Sequence, residues 1–266
     1  MKFLYPLGLL FFCLMSCNNK RSDGPGSVND STTLFHLLKP EETGIDFVNE
    51  VMDGDSFNIL TYRNFYNGGG VAIGDINNDS LPDIYFTSNQ KKNRLYLNKG
   101  NFHFEDITEK AGVGGNMAWS TGVTMADVNG DGLLDIYVCN SGDVSGNLKK
   151  NELFINNGDL TFTEKAREYN LDNEGYSTHA AFFDYDNDGD LDCYILNNSF
   201  RNPAKIELYK KVREQPSPGG HRLMRNDGSA FTDVTQQAGI YSSDIAFGLG
   251  VAGCDFVEGL EHVPVA

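Results

Sequence analysis

Asp184-Tyr-Asp186-Asn-Asp188-Gly-Asp190-Leu-Asp192 runs directly into Cys193-Tyr-Ile-Leu-Asn197, and the same succession occurs twice earlier in the chain. Asp75-Ile-Asn77-Asn-Asp79-Ser-Leu81-Pro-Asp83 leads into Ile84-Tyr-Phe-Thr-Ser88, and Asp127-Val-Asn129-Gly-Asp131-Gly-Leu133-Leu-Asp135 into Ile136-Tyr-Val-Cys-Asn140. Each nine-residue stretch offers side-chain oxygen at positions 1, 3, 5 and 9, with a main-chain carbonyl expected at position 7. Calcium takes six to eight oxygens in a forgiving geometry, whereas magnesium favours one or two carboxylates and keeps its waters. The runs that follow are β-branched and aromatic and read as strands. Position 12 is Phe86, Val138 or Ile195, where a helix-loop-helix calcium hand needs a bidentate Glu. These loops therefore join strands. Asp, Asn and Gly also make turns on their own account, but three loops in one register ask for more than turn chemistry.

The recurrence extends beyond the loops, with 52 residues from Asp75 to Asp127 and 57 from Asp127 to Asp184. Periods of this size mark an architecture with one supersecondary unit per repeat. One unit reads as a Gly-rich strand Gly70–Gly74, a strand Ile84–Ser88, a strand Arg94–Asn98, a Lys99-Gly100 turn and a strand Phe102–Ile107. Later copies repeat the third strand and its turn as Leu153-Phe-Ile-Asn-Asn157-Gly158 and Leu223-Met-Arg-Asn226-Asp227-Gly228, where Asn-Gly and Asp-Gly are hairpin signals. Fourth strands are expected at Phe162–Ala166 and Phe231–Ile240. Four antiparallel strands every fifty-odd residues predict an all-β fold, an incomplete β-propeller of about three blades plus the start of a fourth. A β-solenoid would use shorter rungs.

The loops with their preceding glycines, as in Phe247-Gly-Leu-Gly-Val-Ala252, resemble FG-GAP repeats of integrin α-subunit propellers. The wording Tyr66-Asn-Gly-Gly-Gly-Val-Ala-Ile-Gly-Asp75, with Phe104-Glu-Asp-Ile-Thr-Glu-Lys-Ala-Gly-Val113, is similar to bacterial VCBS-repeat lipoproteins. In that group a propeller is often followed by an ASPIC/UnbV domain, as in the cartilage acidic proteins. The resemblance covers about Leu34 to Asp255. It implies calcium ligands at Asp75, Asn77, Asp79 and Asp83, at Asp127, Asn129, Asp131 and Asp135, and at Asp184, Asp186, Asp188 and Asp192, with main-chain oxygens from Leu81, Leu133 and Asp190. Two departures stand out. Ser80 replaces the turn-easing glycine at position 6, which predicts the weakest site in the first loop and the strongest in the all-acid third. His179 stands where the other copies have Gly70, Gly122 and Gly250.

The ends of the chain carry separate signals. Residues 1–16 read as an export signal, with Lys2 before the apolar run Phe3–Met15, too short to span a bilayer. Ser16-Cys17 resembles a bacterial lipobox, which makes Cys17 the lipidated first residue of an exported protein anchored in the cell envelope, in the outer membrane. Residues 17–33 are polar and read as a flexible tether. Residues 34–66 are expected to supply N-terminal strands, since Phe35–Ile45 resembles the fourth-strand segments and could close a ring. Residues 67–266 hold the repeats. The fourth copy has Val257, Gly259 and Val263 at positions 3, 5 and 9, which predicts a broken loop and a truncated or frame-shifted product.

Composition bounds the partners. The net charge is −16, and eleven acids lie within the three loops, so much of the acidity is a metal demand. No basic stripe exists to meet phosphates, which argues against nucleic acid. Cys139 and Cys193 fall on opposite faces of their strands, which argues against a bridge between them and for buried small hydrophobes. The five histidines are scattered, and neither a Gly-x-Ser-x-Gly elbow nor a P-loop is present. Trp119 and Tyr176, each eight residues before a loop Asp, are expected to pack between blades. The expectation is a calcium-binding repeat scaffold for adhesion, with a glycan or protein ligand, a membrane contact through the lipid anchor alone, and no catalytic site. The alternative is a non-catalytic fragment of a glycan-directed enzyme.

Overall fold

A computed structural model describes residues 34–142, 149–198, 219–243 and 245–252. The chain divides into Met1–Leu37 and Leu38–Ala266, and the fold below is that of the second unit. The export signal, Cys17, the tether, Cys254 and the broken fourth loop lie outside the described residues.

Among the described residues, twelve strands build three four-stranded antiparallel sheets, each a meander in chain order. The first blade is β1 (Val71–Gly74), β2 (Asp83–Phe86), β3 (Arg94–Asn98) and β4 (Phe104–Asp106). The second is β5 (Ser120–Ala126), β6 (Asp135–Asn140), β7 (Glu152–Asn156) and β8 (Phe162–Glu164). The third is β9 (Ser177–Phe183), β10 (Asp192–Asn197), β11 (Arg222–Asn226) and β12 (Phe231–Asp233). The fold is the expected all-β set of blades of an incomplete propeller. Registers are equivalent, with Ile84 opposite Tyr96, Ile136 opposite Phe154 and Cys193 opposite Met224.

Alternation sends one face of each strand toward the preceding blade and the other toward the next. Tyr85, Leu95, Leu97 and Val113 of the first blade meet Val123, Ile136, Val138 and Phe154 of the second in one buried layer. Tyr137, Cys139, Leu153 and Leu171 of the second meet Ala180, Cys193, Ile195 and Phe231 of the third in another. The two cysteines do occupy opposite faces of their own sheets, and that is what brings them into one layer, because opposite faces of successive blades meet. Both are free thiols, fully buried, and burial pushes both thiols well above their ordinary range.

The inner strands approach more closely than side chains allow. A Cβ on Gly70 would lie 2.6 Å from the Thr121 carbonyl oxygen, and one on Gly122 would lie 2.4 Å from that of Thr178. Threonine hydroxyls close the same seams, Thr87 Oγ1 donating to Thr121 O and Thr121 Oγ1 to Ser177 O at 2.7 Å. Glycine five residues before the first and second loops is therefore a packing requirement of the inner strands.

Two expectations need correction. The fourth strands stop after three residues instead of running to Ile107 or Ile240. Asp106 and Asp233 accept the N–H and hydroxyl of Thr108 and Thr235, which bends the chain into a helical turn closed by left-handed Gly112 or Gly239. Residues 34–66 form no strand. A fourth strand needs an open third strand beside it, and β3, β7 and β11 already carry β4, β8 and β12. What survives of the likeness is the helical turn α1 (Pro40–Thr43), closed by Gly44 at φ 78° as α2 (Thr108–Ala111) is by Gly112 at 74°.

Instead of pairing, residues 57–66 make a hub. Tyr62, Phe65 and Trp119 form a buried cluster with Phe57 and Tyr176 against it. Phe57 meets the Trp119 ring edge-on at 4.7 Å, and Phe65 lies 4.8 Å from it. Tyr62 Oη and Ser141 Oγ of the second blade lie 2.6 Å apart, Arg63 donates to Asn198 Oδ1 just after β10 of the third, and Asn89 after β2 donates to Gly68 O. Trp119 and Tyr176 thus pack, but at this hub just before the inner strands. Trp119 takes φ 62°, and Gly142 makes room for it, since a Cβ there would overlap the Trp119 Cβ. Among the described residues no helix is long and apolar enough to cross a membrane.

Candidate functional site: three acidic loops in series

All three acidic loops connect the first strand of a blade to its second and share one backbone course. Position 4 is left-handed in each, at Asn78, Gly130 and Asn187, and so is position 6, at Ser80 (φ 68°), Gly132 (83°) and Gly189 (98°). Ser80 therefore holds the strained conformation that its place in the repeat demands, where glycine enters freely.

The first Asp of each loop folds the turn around itself. Asp127 Oδ1 accepts the Asp131 N–H at 3.0 Å and Oδ2 that of Gly132 at 2.8 Å. Asp75 does the same for Asp79 and Ser80, and Asp184 for Asp188 and Gly189. Positions 3 and 5 are drawn over the same centre. In the third loop, ligand oxygens of Asp184, Asp186 and Asp188 all lie within 4.8 Å of one another. Asn77 and Asn129 replace one of those carboxylates in the other loops, and each donates its amide to the Asp at position 5, at 3.0 and 2.9 Å.

Position 9 behaves differently from the expectation of a ligand like the others. Asp83, Asp135 and Asp192 are fully buried. Asp135 Oδ2 accepts the Val128 N–H at 3.0 Å and Oδ1 the Asn156 N–H at 2.8 Å, pinning the loop to the end of the third strand. Asp83 and Asp192 make the equivalent pairs, to Ile76 and Asn98 and to Tyr185 and Asn226. Burial pushes the Asp135 carboxyl up to about 6, against the pull of its two N–H donors, with the charges of Asp131 and Asp127 adding to the rise. Asp83 and Asp192 rise for the same first reason. Asp190, expected to offer only its main chain, has a carboxyl pushed up to about 6 by burial and by Asp188. Its Oδ1 is buried without a hydrogen-bond partner. Clustered carboxylates and an orphaned acid oxygen are a donor set that a hard divalent cation would relieve.

Sequence reasoning placed Asn98, Asn156 and Asn226 where the third strand meets its turn, and missed that Asn156 and Asn226 staple blades together, while Asn98 Nδ2 bonds Pro82 O within its own blade. Asn156 Nδ2 donates to Ile76 O in the preceding loop at 2.8 Å, and Asn226 Nδ2 to Val128 O at 3.2 Å. Asn78 of the first loop also reaches Gly132 O of the second at 3.0 Å. The loops therefore form a connected row along one end of the blades. The signal lay in the recurrence of Asn at the end of every third strand.

The FG-GAP-like repeat family matches residues 75–138 and 141–195. These residues are FG-GAP-like repeats. Each FG-GAP unit is offset from the blade, since the first match opens on a loop, takes β2 to β4 of one sheet and continues through β5 into the next. Cartilage acidic protein 1 of Xenopus tropicalis is 32 % identical over 172 residues, which are 62 % of this chain and 25 % of that protein. The human cartilage acidic protein 1 is 28 % identical over 152 residues, 56 % of this chain and 22 % of its own length. The FG-GAP chain thus spans about a quarter of the length of the curated relatives it matches, and the expected kinship with the cartilage acidic protein group is shown.

At the opposite end of the first two blades lies a cleft of about 720 Å³, walled by Phe57, Trp119, Met52 and Met117. Gln90 at its edge is committed to both polar groups of the Met52 backbone, at 2.8 and 2.9 Å. Lys91 and Glu50 face each other across its exposed mouth.

Proposed function

We propose that this chain is a calcium-binding repeat scaffold of an exported, lipid-anchored envelope protein, without catalysis of its own, that presents a ligand-binding surface for adhesion to a glycan or protein. The observation that carries the metal reading is the Asp184, Asp186 and Asp188 cluster, with three carboxylates inside 4.8 Å at a strand-joining turn. Such a cluster repels itself at neutral pH, and a divalent ion would convert that repulsion into attraction. Positions 1, 3 and 5 would hold the ion, while position 9 holds the loop. The cleft walled by Phe57 and Trp119 has the size and the apolar lining of a ligand site, and the rigid row of loops would fix the blades that frame it.

Calcium should raise the melting temperature of the chelator-stripped protein. An ion at ten times the Kd of one site stabilises by about 1.4 kcal/mol, a rise of roughly 3–6 °C for a chain of this size. Asp186→Ala should remove most of that rise at low calcium, and Asp79→Ala the least, because strained Ser80 weakens the first site. No shift at millimolar calcium would sink the metal reading. The anchor is tested separately by fatty-acid labelling of the bacterial product, which Cys17→Ser should abolish; label retained by that variant would overturn it.

A further inference from the structure

At two positions of the shared pattern the third blade has a histidine where the other two have glycine or asparagine. The backbone N–H at the end of each second strand is accepted by a side chain at the entry to the third strand. Asn93 Oδ1 serves Ser88 at 2.9 Å, Asn151 Oδ1 serves Asn140 at 2.9 Å, and His221 Nδ1 serves Asn197 at 3.2 Å. Five residues before the loop, Gly70 and Gly122 are matched by His179, whose Nδ1 accepts the Val251 N–H at 3.3 Å. His179 thus bonds across the seam between the third blade and residues 245–252, and His221, bonded within its own blade to Asn197, borders the same seam with its ring. Further bonds there are Thr178 Oγ1 and Asn198 Nδ2 to Gly248 O, and Gly248 N to Asn197 O at 3.2 Å. Gly248 sits so close that a Cβ would lie 2.3 Å from Leu196 and 2.8 Å from the His221 ring.

We propose that His179 and His221 form a proton-operated latch, which holds residues 245–252 against the third blade and lets go when the imidazoles are protonated. An imidazole that accepts an N–H through Nδ1 must carry its lone pair there; protonated, it has only donors, and donor then faces donor. Burial lowers both pKa values from the ordinary histidine range. Among the described residues, the ionisable side chains on the surrounding elements are Tyr62 and Arg63 of the hub, Tyr176 before β9, Tyr194 in β10, and Arg222 with its partner Asp233. Tyr194 lies 6.1 Å from the His221 ring, and Arg63 stacks 4.8 Å from the Phe247 ring of the latched segment. A cation there opposes further positive charge. The closed seam thus binds fewer protons than the open one. Its stability is complete above the free-histidine pKa and is lost as pH falls through that value toward the lowered ones. The seams between the first and second blades and between the second and third have Asn and Gly at these positions and no such response.

Hydrogen exchange of the full chain, read as protection factors, tests the latch. From pH 7 to pH 5 the protection of residues 245–252 should fall at least about tenfold, since each proton taken up only on release contributes up to tenfold per pH unit. Protection of β5 and β9 should hold. In the double variant His179→Gly with His221→Asn, which installs the residues of the other blades, the fall should be under twofold. An equal fall in that variant, or parallel loss in β5 and β9, would overturn the latch. Should the variant not fold, NMR of the native chain decides. The Val251 and Asn197 amides must shift with the midpoints of the two imidazole Cε1 protons, below the free-histidine value, and amides indifferent to those titrations would refute it.

Discussion

Asp135→Ala should cost about 2–6 kcal/mol of folding stability even in excess chelator, because it strands two buried N–H groups, of Val128 and Asn156, at about 1–3 kcal/mol each. The same carboxylate holds the third strand in place for Asn156 Nδ2 to reach Ile76 O in the neighbouring blade, so the loss should spread to the layer between the first two blades. Asp131→Ala is the contrast. Its side chain is exposed and lies at position 5, so in chelator it should cost under about 0.5 kcal/mol, and its effect should appear only when calcium is present. Urea denaturation of both variants with and without calcium separates the roles. If Asp135→Ala costs no more than Asp131→Ala in chelator, position 9 is not the structural pin described above.

Trp119→Ala should remove about 3–5 kcal/mol, the range for truncating a buried Trp. Trp119 is 3 % exposed and touches Phe57, Tyr62 and Phe65. Little collapse can fill the gap, since Gly142 on one side has no side chain to offer and the hub residues are bonded to different blades. Tyr62→Phe, which loses the hydroxyl's bonds to the Ser141 and Asn64 side chains but keeps the ring, should cost about 1–2 kcal/mol. Circular dichroism is the right readout, because Trp119 is the sole tryptophan and its loss blinds fluorescence. A cost for Trp119→Ala no greater than that for Tyr62→Phe would mean the hub is peripheral to stability.

The contrast between these two residues shows what was legible in the chain. The loops, the blade strands and the third-strand turns announce themselves because their chemistry is local: Asp oxygens cap nearby N–H groups, glycine takes positive φ, and alternation is written residue by residue. Even the strain at Ser80 follows from its place in the repeat. The hub was not legible, because residues 57–66 have no period and their partners Ser141 and Asn198 lie some 80 and 135 positions away. The pinning role of Asp83, Asp135 and Asp192 was hidden for a related reason. A carboxylate nine residues into such a loop looks alike whether it meets an ion or two backbone amides, and only burial tells them apart. His221 escaped notice because insertions after the second strand vary in length, so counting forward from the loop Asp fails; counting back two residues from Leu95, Leu153 and Leu223 aligns it with Asn93 and Asn151.

The offset between the FG-GAP unit and the blade bears on how such arrays can grow. A duplication running from one acidic loop to the next copies β2 to β4 of one sheet together with β5, the innermost strand of its successor. The inserted segment finds its missing first strand in the chain already present and lends its own last strand onward. Lengthening by whole loops therefore never leaves two raw sheet edges inside the array, and each newcomer is sewn to both neighbours by covalent backbone before any side chain packs.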